Sequence, residues 1–373
     1  MRIINKYIAG DFLVAFALTV SVITFVMCVG AMVRAIDYFA RGVSGIGVIE
    51  VFLYNIPYLL TFSIPVGTLI TILLQFGRMS FDGEINAMKA CGLSMWQIAS
   101  PAVMISIVLS FFCVYLNDRL APQCFYRQRQ VLARAGMVDP ISLLEEGRFI
   151  KDFPGLMVYV AKKKVKQVED IVAYEMDDKG IVRNVRAKSG QLSIDRTNGF
   201  MLIDLYDVRI DQPDRENPLD PTRARYLTAQ HYPVKVSFAE MLKKGIVHKT
   251  ISDMTYADLI DGIRNIRGMY PGLSDDALLV KRMILLVEAN KRLSMSLACF
   301  AFTLLGVPLG LISRRKESSV GIGISILVAF FFYFFLILGE SMVERPYLHP
   351  DLIVWLPVVL VEVAGFLLLI RVR

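Results

Sequence analysis

The chain has 373 residues, 55% of them hydrophobic and 20% charged, with a mean hydropathy of +0.52 and a net charge of +7. Those proportions, together with several uninterrupted apolar runs of about twenty residues, exclude an ordinary soluble domain and identify a membrane protein. The basic excess is divided between membrane flanks and a mixed-charge middle region, which argues against a nucleic-acid-binding protein.

In chain order, Met1 to Asp11 is a short, partly basic amphipathic lead carrying Arg2 and Lys6, and Phe12 to Val33 is long enough to cross a bilayer. This run exceeds a signal-peptide core and has no small-residue cleavage site before Arg34 and Asp37, so it is expected to be the first span. A loop with Arg41, Gly42, Gly45 and Gly47 leads to a second span, Val51 to Leu74, which Pro57 and Pro65 should bend. A third span runs from Ile98 to Leu116.

Between the second and third spans lies a polar stretch, Gln75 to Trp96, with a helix pattern of its own. Asp82 is expected to cap this helix, Glu84 suits the positive end of its dipole, and Gly92 after Cys91 is its expected C-terminal stop. Such a helix lies across the mouth of a bundle, either as a plain connector or as a docking element for another protein.

From Asn117 to Arg292 charges are frequent and no run could span a membrane, which predicts a soluble domain inserted between the third and fourth spans. Period-two segments at Leu156 to Ala161, Ile171 to Met176, Gly190 to Ile194, Phe200 to Ile210 and Val234 to Phe238 alternate with turn signals at Asp178-Lys179-Gly180 and Asn198-Gly199. Short strands so spaced predict a β-sandwich or open jelly roll. Ser252 to Arg267 has a capping residue and helical apolar spacing, and Ser274 to Leu293 is a second helix leading into the membrane. The expected organisation is therefore 1–116 with the first three spans and a small helix near 82–91, 117–251 as the β-domain with its lead-in, 252–293 as connecting helices, and 294–373 with the last three spans.

The fourth span, Ser294 to Ile312, contains Gly306, Pro308 and Gly310 and is followed by the basic turn Arg314-Arg315-Lys316. Ser319 to Leu338, rich in phenylalanine, and Leu352 to Ile370 complete six spans, so both termini fall on one side. The short segments on that side carry roughly three times the Lys and Arg of the opposite loops, which predicts cytoplasmic termini and a β-domain on the far side.

At this point the order of parts resembles a known family. Gly77-Arg78-Met79-Ser80, the run Glu84 to Ser94, Asn117 to Pro122, and Arg292-Leu293 through Leu305 to Gly310 are similar to the LptF/LptG permeases of the lipopolysaccharide export system, over nearly the whole chain. The segment ending Ala90-Cys91-Gly92-Leu93-Ser94 resembles LptF more than LptG. The resemblance implies an inner-membrane bundle of six helices with an inserted periplasmic jelly roll. It implies a non-catalytic permease subunit of an ABC exporter of type six architecture, taking lipopolysaccharide from the outer leaflet to a periplasmic bridge. The implied partners are a cytoplasmic ATPase dimer similar to LptB, a second LptF/LptG-type permease, and periplasmic jelly-roll proteins similar to LptC and LptA. The chain has no G-x-x-x-x-G-K-[ST] phosphate loop, so no cofactor is expected on it directly and ATP chemistry falls to the partner.

The resemblance also implies roles for residues. The Asp82 to Ala90 helix becomes the ATPase-coupling helix, with Asp82 and Gly92 at its ends, Glu84 as an acidic contact and Met88 as an apolar knob. Arg34, at the far end of the first span, is the leading candidate for clamping a lipid phosphate, against the plainer reading of a snorkelling arginine paired with Asp37. Arg41, Arg119, Arg127 and Arg129 are further candidates for an anionic-substrate rim. Glu362 within the sixth span, and Glu50 and Glu340 at span ends, are either functional carboxylates or partners of bundle neighbours.

Two other classes stay open. A secondary transporter would use Glu362 and the proline-broken spans without an ATPase, and an anchored scaffold would present its β-domain to a partner. His231, His248 and His349 lack metal-ligand or catalytic spacing. Cys28, Cys113 and Cys299 lie in apolar runs, Cys91 in the short polar loop and Cys124 near the long polar region, so no disulfide framework is expected.

Overall fold

A computed structural model of the chain describes residues 2–40, 43–134, 147, 149–153, 156–164, 167–177, 180–195, 200–212, 225–237, 249–270, 273–312 and 318–371. Arg41, the turns at 178–179 and 198–199, and the basic turn at 314–316 lie outside the described residues. Six helices are long and apolar enough to cross a membrane, as the hydropathy predicted, but they run past their apolar centres. The first, α1, occupies Arg2–Ala40 and absorbs the basic lead; α2 is Gly45–Phe81, started by Ser44, whose hydroxyl accepts from the Gly47 N–H. The small helix α3 is Glu84–Ala90, and α4 is Met95–Tyr115, opened by a capping box between Ser94 and Gln97.

The helix of the third span does not end at Leu116, where the apolar run was expected to close. It widens into one π-helical turn, Leu116–Leu120, and continues as α5, Ala121–Arg134, beyond the apolar region. The same holds on the return. After a 3-10 turn at Ile251–Asp253, α6 covers Tyr256–Arg264, a single turn follows at Ile266–Met269, and α7 runs unbroken from Asp275 to Ile312, joining the expected connecting helix and the fourth span in one rod. The last two spans are α8, Ser318–Ser341, and α9, Leu356–Arg371, the latter preceded by a short turn at Pro350–Ile353. The bundle is built around α2 and α7, each 72% buried over its most apolar stretch, whereas α1 is only 6% buried there and lies on the outside.

The inserted β-domain is one antiparallel sheet in consecutive order, β1 (Phe149–Phe153), β2 (Leu156–Lys164), β3 (Gln167–Asp177), β4 (Gly180–Asp195), β5 (Phe200–Gln212) and β6 (Arg225–Ser237). A single meander would ordinarily have one buried face. Here a crease crosses it. The ladders from β2 to β6 each skip one pair without a change of register there, on a line through Ala161, Asp170, Lys188, Asp207 and Gln230; the register of β3 on β4 shifts only further on, between Glu175 and Met176. Asp170 and Asp207 hold left-handed backbone, at φ 51° and 52°, which a short polar side chain tolerates better than a branched one. The inward residues step by three instead of two across this line, from Val168 to Ile171, Ala187 to Gly190 and Leu205 to Val208. A step of three reverses the alternation and the bend reverses it back, so both halves of the sheet turn apolar side chains into one core that also receives Ala133 from α5.

Candidate functional site

Two polar regions stand at opposite ends of the bundle. At the α3 end, α3 is held by Ile85, buried in the same core as Ile8, Phe12, Phe76 and Met95. The sequence assigned its cap to Asp82, but Asp82 closes α2, its N–H bonded to the Arg78 carbonyl, and Gly83 at φ 76° is the residue that opens α3 without a side-chain cap. Only a residue at ease in left-handed backbone can turn the chain that sharply between two helices. Gly92, at φ 85°, follows the C-cap Cys91 as expected. Glu84 accepts a hydrogen bond from the Tyr7 hydroxyl, and Arg78 pairs with Asp11 at 2.8 Å, so the lead of α1 embraces both sides of the α2–α3 corner. Met88, expected as an apolar knob, is half-buried against the bundle core; the exposed side of the segment is formed by Phe81, Asp82, Asn86, Ala87, Ala90 and Cys91.

At the β-domain end, the chain returning from the sheet is clamped between α5 and α7. Arg292 on α7 donates from Nη1 to the Met254 carbonyl at 2.5 Å and from Nη2 to those of Ile251 and Ser252, while its Nε meets Glu288 at 2.8 Å. Arg129 on α5 meets Asp253 at 3.2 Å and also bonds Thr250. Asp118 in the π-turn accepts from the Tyr256 N–H at 2.7 Å, and Asn117 donates to Ser296 on α7. Asp253 is fully buried; burial pushes its carboxyl above the ordinary value, against the opposing pull of Arg129 and the Thr250 N–H. Beside this clamp a cavity of about 480 Å³ opens among α2, α5, α7 and α8, walled by Tyr58, Phe62, Phe125 and Tyr333 and bordered by Glu288, Lys291 and Glu340.

Six spanning helices, a β-domain inserted between the third and fourth, and a small helix across one mouth form a composite that comparison with known families recognises over almost its full length. Residues 6–371 match the family described as lipopolysaccharide export system permease LptF/LptG. The chain belongs to that family. A search of curated proteins found no match. As an LptF/LptG permease the chain is a membrane component of lipopolysaccharide export, with the membrane bundle and β-domain expected from its sequence.

The arginines singled out in the sequence are not brought together into one site. Arg34 is exposed near the end of α1, within electrostatic reach of the Tyr58 hydroxyl, as are Lys291, Glu288 and Glu340. Arg119 is exposed and 3.7 Å from Asp118; Arg127 is exposed on α5; Arg129 is turned inward to Asp253. Arg41 lies outside the described residues. Glu362 is half-buried on α9 and Glu50 exposed, neither with an ion pair among the described residues, whereas Glu340 pairs with Lys291 at 2.5 Å. The sequence reading missed Asp118, Lys291 and the work of Arg292. The signal for the last two was available: a cluster of charges, Glu288 to Arg292, directly before an apolar run on one helix.

Proposed function

We propose that this permease is the transmembrane subunit of an ATP-driven exporter that takes lipopolysaccharide from the outer leaflet and passes it to a periplasmic bridge. The observation that carries this reading is the α3 corner, anchored inward through Ile85, with the half-exposed Glu84 carboxylate held by Tyr7 at its start and a row of small side chains outward. Such an element suits a partner groove, since small residues permit close approach and the Glu84 carboxylate offers one charged contact. With no phosphate loop of its own, the chain takes its energy from a cytoplasmic ATPase dimer docked on α3. Because α3 is short and joined to α2 and α4 through tight corners, motion imposed on it passes to those helices as rigid bodies.

In this reading both termini are cytoplasmic and the β-domain is periplasmic, in line with the basic residues gathered at the α3 end. A second LptF/LptG-type permease completes the lipid cavity on the exposed side of α1, and the creased sheet meets other periplasmic jelly rolls at its edges. Arg34, Arg41, Arg119 and Arg127 serve as cationic contacts for the lipid phosphates. The role of Arg129 is to position the Thr250–Tyr256 return against the bundle.

The test is co-purification in detergent of the wild type and Glu84→Arg with co-expressed ATPase and permease partners. Loss of the ATPase from an otherwise intact membrane protein is the expected result. Failure of the wild type to retain any ATPase would return weight to a secondary transporter.

A further inference from the structure

Lys291 stands on α7 between two carboxylates, 2.6 Å from Glu288 on its own helix and 2.5 Å from Glu340 on α8. The two pairs are not equivalent. Glu288 is largely buried and is also held by Arg292 at 2.8 Å, whereas Glu340 is 46% exposed and makes no second ion pair among the described residues. Breaking a buried ion pair is costly chiefly because it leaves a charge stranded. Withdrawing Lys291 from Glu340 strands none: Glu288 keeps Arg292, and Glu340 turns to solvent.

Otherwise α8 is held through one apolar face, by buried Phe332 and Leu336 with Ile324 and Val328 beside them. The apolar stretch of α8 is 28% buried, against 72% for α2 and α7. In its later half it touches Phe302 through Phe332, bonds the Phe62 carbonyl through Tyr333 and packs Gly339 against Val354; nearer its start, Gly323 faces open space. The Lys291–Glu340 pair is the ionic tie between α7 and α8 among the described residues. It also borders the 480 Å³ cavity, whose walls are mainly aromatic and aliphatic and whose charged groups are gathered on one side. A pocket of that size and polarity is suited to part of an amphiphile, with the apolar portion within and the charged portion at the border.

Building on the transport reading above, we infer that the Lys291–Glu340 pair is a latch on α8, released when an anionic amphiphile draws the Lys291 ammonium from Glu340 to its own phosphate. A phosphate monoester carries more negative charge than a carboxylate, and the four-carbon lysine stem lets the ammonium change partners without moving α7. Such a ligand favours the released state because in the latched state the ammonium is already neutralised by two carboxylates, and that differential affinity is what shifts the population. Lys291 is thereby a substrate-sensing residue, distinct from the exposed arginines that supply general cationic contacts.

The test uses the full chain in phosphatidylcholine nanodiscs, with spin labels on cysteines introduced at the exposed positions Ile46 and Ser341, and Cys28, Cys91 and Cys124 replaced by serine. The wild type should give a narrow label distance that broadens to longer values when diphosphorylated lipid A is included. Lys291→Gln and Glu340→Gln should be broad with or without lipid A, and Lys291→Arg should restore the narrow distribution, which separates loss of the latch from loss of folding. A narrow distribution in Glu340→Gln, or a wild type unmoved by lipid A, overturns the inference. Broadening by inorganic phosphate alone would overturn the amphiphile as ligand and assign a free anion instead. No ATPase is present, so this outcome is independent of the Glu84→Arg co-purification.

Discussion

The Tyr7 hydroxyl donates to the Glu84 carboxylate, lying 3.2 Å from Oε1 and 3.3 Å from Oε2, and so fixes the acidic side chain of α3 from the first helix of the chain. For the ATPase docking proposed above, this bond orients Glu84 in advance instead of leaving it to sample its rotamers. Tyr7→Phe keeps the ring and deletes the donor. A single exposed hydrogen bond contributes about 0.5–1.5 kcal/mol, so titration of the ATPase partner should find binding weakened by roughly twofold to tenfold. Glu84→Arg, which reverses the charge, should abolish retention altogether. Equal effects from the two substitutions would show that Tyr7 supports folding of the corner instead of orienting Glu84.

The clamp at the other end distinguishes among arginines that look alike in sequence. The Asp253 side chain is fully buried and pairs with Arg129, so Arg129→Ala leaves a buried carboxylate short of its main cation. Removing one member of such a pair costs about 3–5 kcal/mol; with Arg129 itself 30% exposed, the lower end is expected. Arg292→Ala should be at least as damaging, since it frees three carbonyls and unbalances Glu288. Arg119→Ala and Arg127→Ala, on exposed side chains, should stay within about 0.5 kcal/mol of wild type. Thermal unfolding in detergent checks all four.

How much of this was legible follows from what each pattern records. Spans were read correctly because hydropathy reports an apolar interior directly, but their ends were cut short wherever helices continue into polar surroundings, as at Asn117 and before Ser294. Three strands, β2, β3 and β4, were read as fragments for a physical reason: the period-two pattern stopped at Ala161 and began again at Ile171 and Gly190, each beside the crease where alternation reverses, whereas Phe200 to Ile210 was read across it. Gly92 was recognisable as a helix stop, while the roles of Asp82 and Gly83 depended on backbone dihedrals that the residue types left ambiguous. Arg119, Arg127 and Arg129 could not be told apart, because inward or outward facing depends on the rotation of α5, which the π-helical turn alters.

Gly190 should be the most sensitive position of the crease. A Cβ there would stand 2.8 Å from Ile171 Cδ1, 3.1 Å from Leu205 Cδ2 and 3.2 Å from Val168 Cγ2, with the two halves of the sheet closing on it. The nearest two are ends of side chains that can shift, so Gly190→Ala should cost about 1 kcal/mol, whereas the branched Gly190→Val, pressed also on the stiff Val168, should reach about 3 kcal/mol by overpacking. Hydrogen exchange across β3, β4 and β5 is the measurement. Faster exchange confined to residues flanking the crease, with the bundle helices unchanged, is the expected outcome; uniform loss of protection would mean that the sheet and bundle unfold as one unit.

The α6 start offers a pH dependence whose sign is fixed by its partners. Thr255 Oγ1 accepts from the Asp258 N–H at 3.3 Å, and Asp258 Oδ2 accepts from the Thr255 N–H at 3.1 Å and lies 3.4 Å from Lys249 Nζ. Partial burial acts to raise the Asp258 carboxyl, but the Thr255 N–H and the Lys249 charge outweigh it and hold the group below its ordinary value. A carboxyl depressed in the folded state stabilises above the unfolded pKa of about 3.9, and that contribution is lost as pH falls through the lower folded value. Protection of residues 256–264 from hydrogen exchange should therefore be insensitive to this group between neutrality and about pH 5 and weaken only below about pH 4. Thr255→Ala, which removes the hydroxyl cap, should cost about 1 kcal/mol at neutral pH. In Asp258→Asn the acid-dependent loss should disappear while the Thr255 N–H keeps an oxygen acceptor; persistence of the same pH profile in that variant would assign the titration to another carboxylate.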